Sequence, residues 1–335
     1  MENNQIDKNL NNSILAGQKL MVGFDGIQFN SDLKFLISEL KIGGLVLFSR
    51  NIESPDQLKT LLVKIKEYAN DKQLLKPFIA IDQEGGEVAR LKEPFTVFKG
   101  NPFINNKKDA EEFAKTQAIE LNEFGINMNF APVLDVIPEN YKSIMERRAF
   151  KGKAKTVAKL GSYVINTFQK FNTMAVAKHF PGIGRTNLDS HFELPTSDRT
   201  AEQLFEEELI PFEKAIKSNV SGIMLSHILY PNIDPEWQAS LSPRIVKNLL
   251  REKMGFNGLI MTDDLDMKSV NHDIKTSAKQ VLLSDIDIVL ICHKGPDIEN
   301  MFNEFKNLLE QDDKFLDSAK RSFERIIKIK NKYLN

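Results

Sequence analysis

Eight short apolar runs, separated by segments of helical period, constrain this chain more than any other feature. They are Leu20–Phe24, Gly44–Phe48, Phe78–Ile81, Ile126–Ala131, Met174–Ala177, Gly222–Leu225, Gly258–Met261 and Ile286–Ile291. Runs of this length without apolar/polar alternation read as strands buried on both faces. Their starts lie on average about 38 residues apart, room for one strand and one helix each. Gln57 to Ile65 has helical period, Thr200-Ala201-Glu202-Gln203 reads as a capping box, and Ser242-Pro243 reads as an N-cap followed by proline. Strand and helix alternating eight times predict an α/β fold, a single (β/α)8 TIM-type barrel domain over residues 1–335 with a polar extension at about 1–12. A doubly wound open sheet is the alternative.

Composition excludes several classes. The chain has 335 residues, 27% of them charged, and a formal net charge of −1, so nothing draws it in bulk to nucleic acid or anionic membrane. Lys151-Gly152-Lys153-Ala154-Lys155 reads as solvated helix surface. A single cysteine, Cys292, forbids an intrachain disulfide and a thiolate metal cluster. The polar start lacks the apolar core of a signal peptide, and no apolar run reaches the roughly 18 residues of a membrane span. A cytoplasmic location is expected.

Barrel active sites form at the C-terminal ends of the strands. The residues just past each run are therefore informative: Asp25, Asp82-Gln83-Glu84-Gly85-Gly86, Asp135, Lys178-His179, Ser226-His227, Thr262-Asp263-Asp264 and Cys292-His293. Asp25 and Asp135 read equally as caps of turns or helices, and His293 as an exposed loop residue. Side chains one apart on a strand point to opposite faces, so Asp263 and Asp264 are expected to diverge. Past Lys178-His179 a loop punctuated by Pro181, Gly182 and Gly184 leads to Asp189-Ser190-His191. Its glycines suggest mobility, and Asp189 at i, i+2 can orient His191 and raise its basicity. His179, His191, His227 and Asp263 could ligate zinc, but no HExxH or similar close spacing exists. The glycine-bearing loops lack nucleotide-binding spacing, and no nucleophile elbow surrounds Ser190 or Ser226.

Lys178-His179-Phe180-Pro181-Gly182 through Asp189-Ser190-His191, with Leu194-Pro195 after it, resembles the hallmark of glycoside hydrolase family 3. It specifically resembles the family's single-domain, NagZ-type β-N-acetylglucosaminidases. Gly43 to Asn51, Ile81 to Arg90, Asn129 to Asp135, Ala239 to Ser242 and Thr262 to Met267 extend the resemblance over nearly the whole chain. Ile183 stands where the family usually has histidine, and Pro138 to Lys153 is the poorest match.

The resemblance implies a retaining exo-β-N-acetylglucosaminidase with Asp263 as nucleophile, His191 as general acid/base and Asp189 as its partner. It implies that Asp82, Arg90, Arg148, Lys178 and His179 hold the sugar. It implies no metal and no organic cofactor, and a small carbohydrate or muropeptide substrate, N-acetylglucosamine β-1,4-linked to (anhydro)muramic acid from cell wall. A β-glucosidase, β-xylosidase or glycoside phosphorylase on the same barrel, and a non-catalytic sugar-binding protein, are the alternatives.

Overall fold

The structure, a computed structural model, describes residues 10–186, 194–267 and 272–334. Eight parallel strands close into a barrel in the order β1 (Leu20–Gly23), β2 (Gly44–Leu47), β3 (Phe78–Ile81), β6 (Met128–Asn129), β7 (Met174–Phe180), β8 (Gly222–Leu225), β9 (Leu259–Asp264) and β10 (Ile288–Ile291), with β10 pairing back to β1. Each predicted apolar run holds one strand, so the barrel expectation stands and the open sheet does not. A short antiparallel hairpin, β4 (Gln83–Gly85) with β5 (Val88–Ala89), rises from the end of β3. No sequence signal marks it.

Several boundaries differ from the apolar runs for identifiable reasons. The fourth run shortens to Met128–Asn129 because Pro132, which has no N–H, comes close behind. The chain nonetheless stays extended alongside β7, with Leu134 N–H donating to Lys178 O and Lys178 N–H to Pro132 O. β7 and β9 run past their apolar residues into the charged ones, because their polar ends find buried partners at the barrel mouth.

Helices are started by the devices the sequence advertises. Thr200 and Gln203 form the capping box that opens Ala201–Glu206. Ser54 caps Pro55–Asp71, whose Leu58, Leu61, Leu62 and Ile65 form the buried stripe against the sheet. Ser242 Oγ accepts from Ile245 N–H at the start of Arg244–Lys253, a helix of π-type hydrogen bonding. No helix among the described residues is long and apolar enough to cross a membrane.

The barrel interior is filled by Met21, Phe78, Met128, Met174, Val176, Leu259, Met261 and their neighbours, all buried. Five of the chain's ten methionines lie in this cluster, where unbranched side chains fill the irregular layers of a closed barrel. The C-terminal helix Asp313–Tyr333 closes the opposite end from the strand tips. Tyr333 there pairs its hydroxyl with Ser221 Oγ at 2.8 Å, and Lys330 lies buried with its ammonium 5.0 Å from the Phe78 ring centre, donating to Gln18 Oε1 at 2.7 Å.

Lys330 has no ionic partner among the described residues to offset its burial, and that burial pushes its pKa down from 10.5 to about 7. Between those values the unfolded chain binds more protons here than the folded one, so this group makes stability rise with pH. Lys330→Met should therefore flatten the rise in Tm between about pH 7 and pH 10. A variant with the wild-type slope would show that the buried ammonium carries no such penalty.

Candidate active site

The barrel strands deliver their terminal charges to one cavity of about 190 Å³ at their C-terminal ends. That volume is below the roughly 300–1,000 Å³ of pockets for drug-sized ligands and suits a single ring. Val46, Phe130, Met224 and Leu290 floor it from the top layer of the barrel interior, and Phe48, Ile183, Met267 and Cys292 extend the apolar wall. Asp82, Arg90, Arg148, Lys178, His179, Asp263 and Asp264 supply the polar wall. The structure thus brings together six of the eight residues implied for the site. His191 and Asp189 lie outside the described residues.

A buried ionic network organises the polar wall. Lys178 Nζ lies 2.7 Å from Asp82 Oδ1 and 2.6 Å from Glu84 Oε1. Glu84 also accepts two bonds from Arg148, at 2.7 Å from Nη2 and 3.0 Å from Nε, the planar fork that matches a carboxylate. Asp82 takes a further bond from Arg90 Nη2 at 3.2 Å. Burial alone would raise the Asp82 and Glu84 pKa values, but Lys178, with Arg90 for Asp82 and Arg148 for Glu84, holds both below the usual carboxylate range. Burial pulls down on Lys178 too, and the two carboxylates outweigh it and keep the ammonium charged.

Glu84 was not singled out from the sequence, although it lies in the Asp82–Gly86 run. Its place in the chain gives no sign that it bridges two cations contributed by distant segments. Arg148, rather than its neighbour Arg147, lines the cavity. Arg147 pairs with Glu87 at the exposed rim.

The strand ends break the alternation expected of them. Asp263 and Asp264 both line the cavity, so the expected divergence does not occur. The β9–β10 register shifts between Met261↔Ile288 and Asp264↔Leu290, placing one extra residue on β9. Asp264 N–H donates to Asp263 Oδ1 at 2.9 Å, and Asp264 Oδ1 accepts from Asp266 and Cys292 N–H at 3.1 and 3.0 Å. Burial and then the neighbouring Asp266 push the Asp264 pKa up to about 6. β7 carries a matching irregularity between Ala177↔Ile223 and Phe180↔Leu225, so that Lys178 and His179 both line the cavity.

The first half of the loop after β7 packs against its neighbours. Pro181 to Ile183 are buried, Tyr230 Oη donates to Gly182 O at 2.6 Å, and Arg185 pairs with Glu207 and Glu208. Gly184 packs so tightly that an added Cβ would lie 2.0 Å from Val136 O. The segment Pro181–Thr186 is therefore closely packed, and Gly184 permits its close approach to the Val136 carbonyl.

Asp25 pairs with Arg50 outside the cavity, and His227 is buried, held by Ser240 Oγ at 2.6 Å and Asp264 O at 2.9 Å. His227 spends both ring nitrogens on protein partners, whereas His179 engages Asp135 through Nδ1. Asp264, Asp266 and His293 do bring ligand atoms within 4.8 Å of one another. Their hydrogen bonds to the Cys292 and His293 amides tie the end of β9 to that of β10.

A closed parallel barrel with a one-ring cavity lined by carboxylates, guanidiniums, lysine and imidazole has the chemistry of a protein that handles a polyhydroxylated ring. The sequence profile of the Glycosyl hydrolase family 3 N terminal domain matches residues 14–328. A beta-hexosaminidase of Nitrosomonas eutropha is 33% identical over 285 residues, covering 82% of this chain and 80% of its own. One of Idiomarina loihiensis is 34% identical over 284 residues, covering 82% and 84%. A solved family 3 β-N-acetylglucosaminidase from Paenibacillus sp. superposes with a TM-score of 0.92 at 32% identity; the match covers 97% of this chain but only 63% of that one. NagZ from Neisseria gonorrhoeae superposes with a TM-score of 0.75 at 26% identity, covering 92% and 98%. The chain belongs to glycosyl hydrolase family 3.

Glu84 joins buried Lys178 to partly buried Arg148, and removing its charge leaves the two cations facing each other. Glu84→Gln should destabilise the fold by about 3–5 kcal/mol, the usual cost of breaking a buried ion pair. Urea denaturation measures this, and a midpoint within error of wild type would show that Asp82 alone balances the cluster.

Proposed function

We propose that this protein is a retaining exo-β-N-acetylglucosaminidase. The observation that carries the reading is that Asp263 opens into the same small cavity as Asp82, Arg90, Arg148, Lys178 and His179. One carboxylate at a strand tip faces groups suited to fixing the hydroxyls of one ring. The names of the relatives, beta-hexosaminidase and β-N-acetylglucosaminidase, support the choice of an N-acetylated sugar.

In this reading Asp263 attacks the anomeric carbon and a glycosyl–enzyme ester forms. The glycosidic C–O bond breaks with its electron pair going to the leaving oxygen, which takes a proton from His191. Water then attacks the same carbon, His191 receives its proton, and Asp263 leaves with the β configuration retained. Asp189 holds the His191 ring and favours its charged form. No step calls for a metal or an organic cofactor. The substrate is N-acetylglucosamine β-1,4-linked to (anhydro)muramic acid in cell-wall fragments, handled in the cytoplasm. The likeness to NagZ, whose solved structure holds N-trifluoroacetyl-D-glucosamine, supports a glucosamine-type sugar in this cavity.

Two experiments test the assignment. A 2- or 5-fluoro glycosyl inactivator should label Asp263, read by peptide mapping. A label on Asp264 would move the nucleophile by one residue. Aryl N-acetyl-β-glucosaminide should also exceed aryl β-glucoside in kcat/KM, and the reverse order would reject the N-acetyl specificity.

The acid/base role has its own signature. His191→Ala should slow substrates with poor leaving groups by about 100-fold or more, since positioned proton transfer contributes on that order. Activated aryl glycosides, which need little protonation, should be slowed much less. Equal losses across leaving groups would assign His191 to binding and place the acid elsewhere.

A further inference from the structure

His179 is a cavity residue whose chemistry depends on which ring nitrogen carries the proton. The carboxylate of Asp135, wholly buried beneath it, lies with Oδ2 2.8 Å from His179 Nδ1. On the other side, Arg148 Nη2 lies 3.4 Å from His179 Nε2. A guanidinium only donates and a carboxylate only accepts. Both contacts therefore select one tautomer, with Nδ1–H donating to Asp135 and Nε2 left as an acceptor.

Asp135 has a second task. Its other oxygen, Oδ1, accepts the Ile183 N–H at 2.8 Å, and Ile183 is itself part of the cavity wall. The two oxygens of one side chain thus fix an imidazole and a backbone segment on the same side of the cavity. Asp135 reaches this place because Ala131 to Asp135 runs extended along β7, with Val133 bridged to Lys178. This is more than the turn cap that the sequence also allowed.

We propose that Asp135 is a positioning residue that makes His179 a hydrogen-bond acceptor for one sugar hydroxyl. The proposal rests on the N-acetylglucosaminidase reading and deepens it by assigning polarity to that subsite. On this wall Lys178, Arg90 and Arg148 are cations that donate, and the Asp82 carboxylate among them already accepts from Lys178 and Arg90. A ring hydroxyl bound by the cations alone has nowhere to send its own proton. The Nε2 lone pair supplies the acceptor, and the buried carboxylate behind the ring sets the tautomer, as an orienting carboxylate does for a catalytic histidine.

The test uses 4-nitrophenyl N-acetyl-β-glucosaminides in which the C3, C4 or C6 hydroxyl is replaced singly by fluorine, which cannot donate. With wild type, one position should cost about tenfold or more in kcat/KM, the worth of a hydrogen bond to a buried acceptor. That penalty should vanish in His179→Ala, which identifies the position. It should also shrink to within about twofold in Asp135→Asn. Asparagine keeps the volume but has one acceptor oxygen for two donors; when it serves Ile183, its NH2 group faces Nδ1 and forces the proton to Nε2.

An unchanged penalty in Asp135→Asn, or no position whose penalty vanishes in His179→Ala, would overturn the proposal. 15N NMR of histidine-labelled wild type gives a reading that needs no variant. A protonated Nδ1 and a bare Nε2 on His179 are expected, and the opposite pattern would overturn the proposal equally. If wild type does not turn over the parent glycoside, the function reading falls, while the NMR still reports the tautomer.

Discussion

The Lys178 ammonium, 2% exposed and flanked by Asp82 and Glu84, is the constraint on which the cavity depends. A lone buried cation is expensive, and burial here is nearly complete. Its two carboxylates come from the tip of β3 and from the hairpin beyond it, so β3 and β7 must hold their tips in register for the charge to be compensated. Arg148, from an irregular segment far along the chain, then closes the network through Glu84. The cavity wall is therefore one charged unit assembled from three parts of the sequence, and none of those parts could bury its charge alone.

The opposite end of the barrel is closed by a second buried network. Asp287 binds Arg251 at 2.5 Å and Arg325 at 2.8 Å, and Lys19 reaches Ile286 O and Ser322 Oγ nearby. Between the two networks lies the Met-rich interior, which offers no polar partner to either. The difference between the ends is what covers them. The C-terminal helix and Arg325 seal the lower network into the fold, whereas the upper one borders an open cavity. Similar chemistry thus serves cohesion at one end and is available to a ligand at the other.

Much of this was legible in the sequence. The apolar runs mark all eight barrel strands because burial on both faces leaves an unbroken hydrophobic signature. The strand-tip charges mark the cavity because charged residues after such runs have few structural uses in a barrel. What escaped reading depends on pairings between distant segments. Glu84 looks like any acidic loop residue until Arg148 and Lys178 are brought to it, and Asp135 looks like a cap until His179 lies beside it. The packing of the loop glycines depends on distant residues in the same way. Gly184 looks like a hinge in one dimension, but the Val136 carbonyl against it is a tertiary fact.

The two register shifts show how the barrel reconciles architecture with chemistry. Strict alternation would send one of Lys178 and His179, and one of Asp263 and Asp264, away from the cavity and into the helical layer, where a charge has no compensation. An extra residue at each tip turns both members of each pair inward. The cost is local, since the ladder shifts only at the ends of β7 and β9, and backbone donors nearby are met by side chains. Cys292 N–H goes to Asp264 and Ile183 N–H to Asp135. Asp264 and Asp135 thus hold backbone beside the shifts while also fixing the cavity wall, directly or through His179, so neither role can be altered without the other.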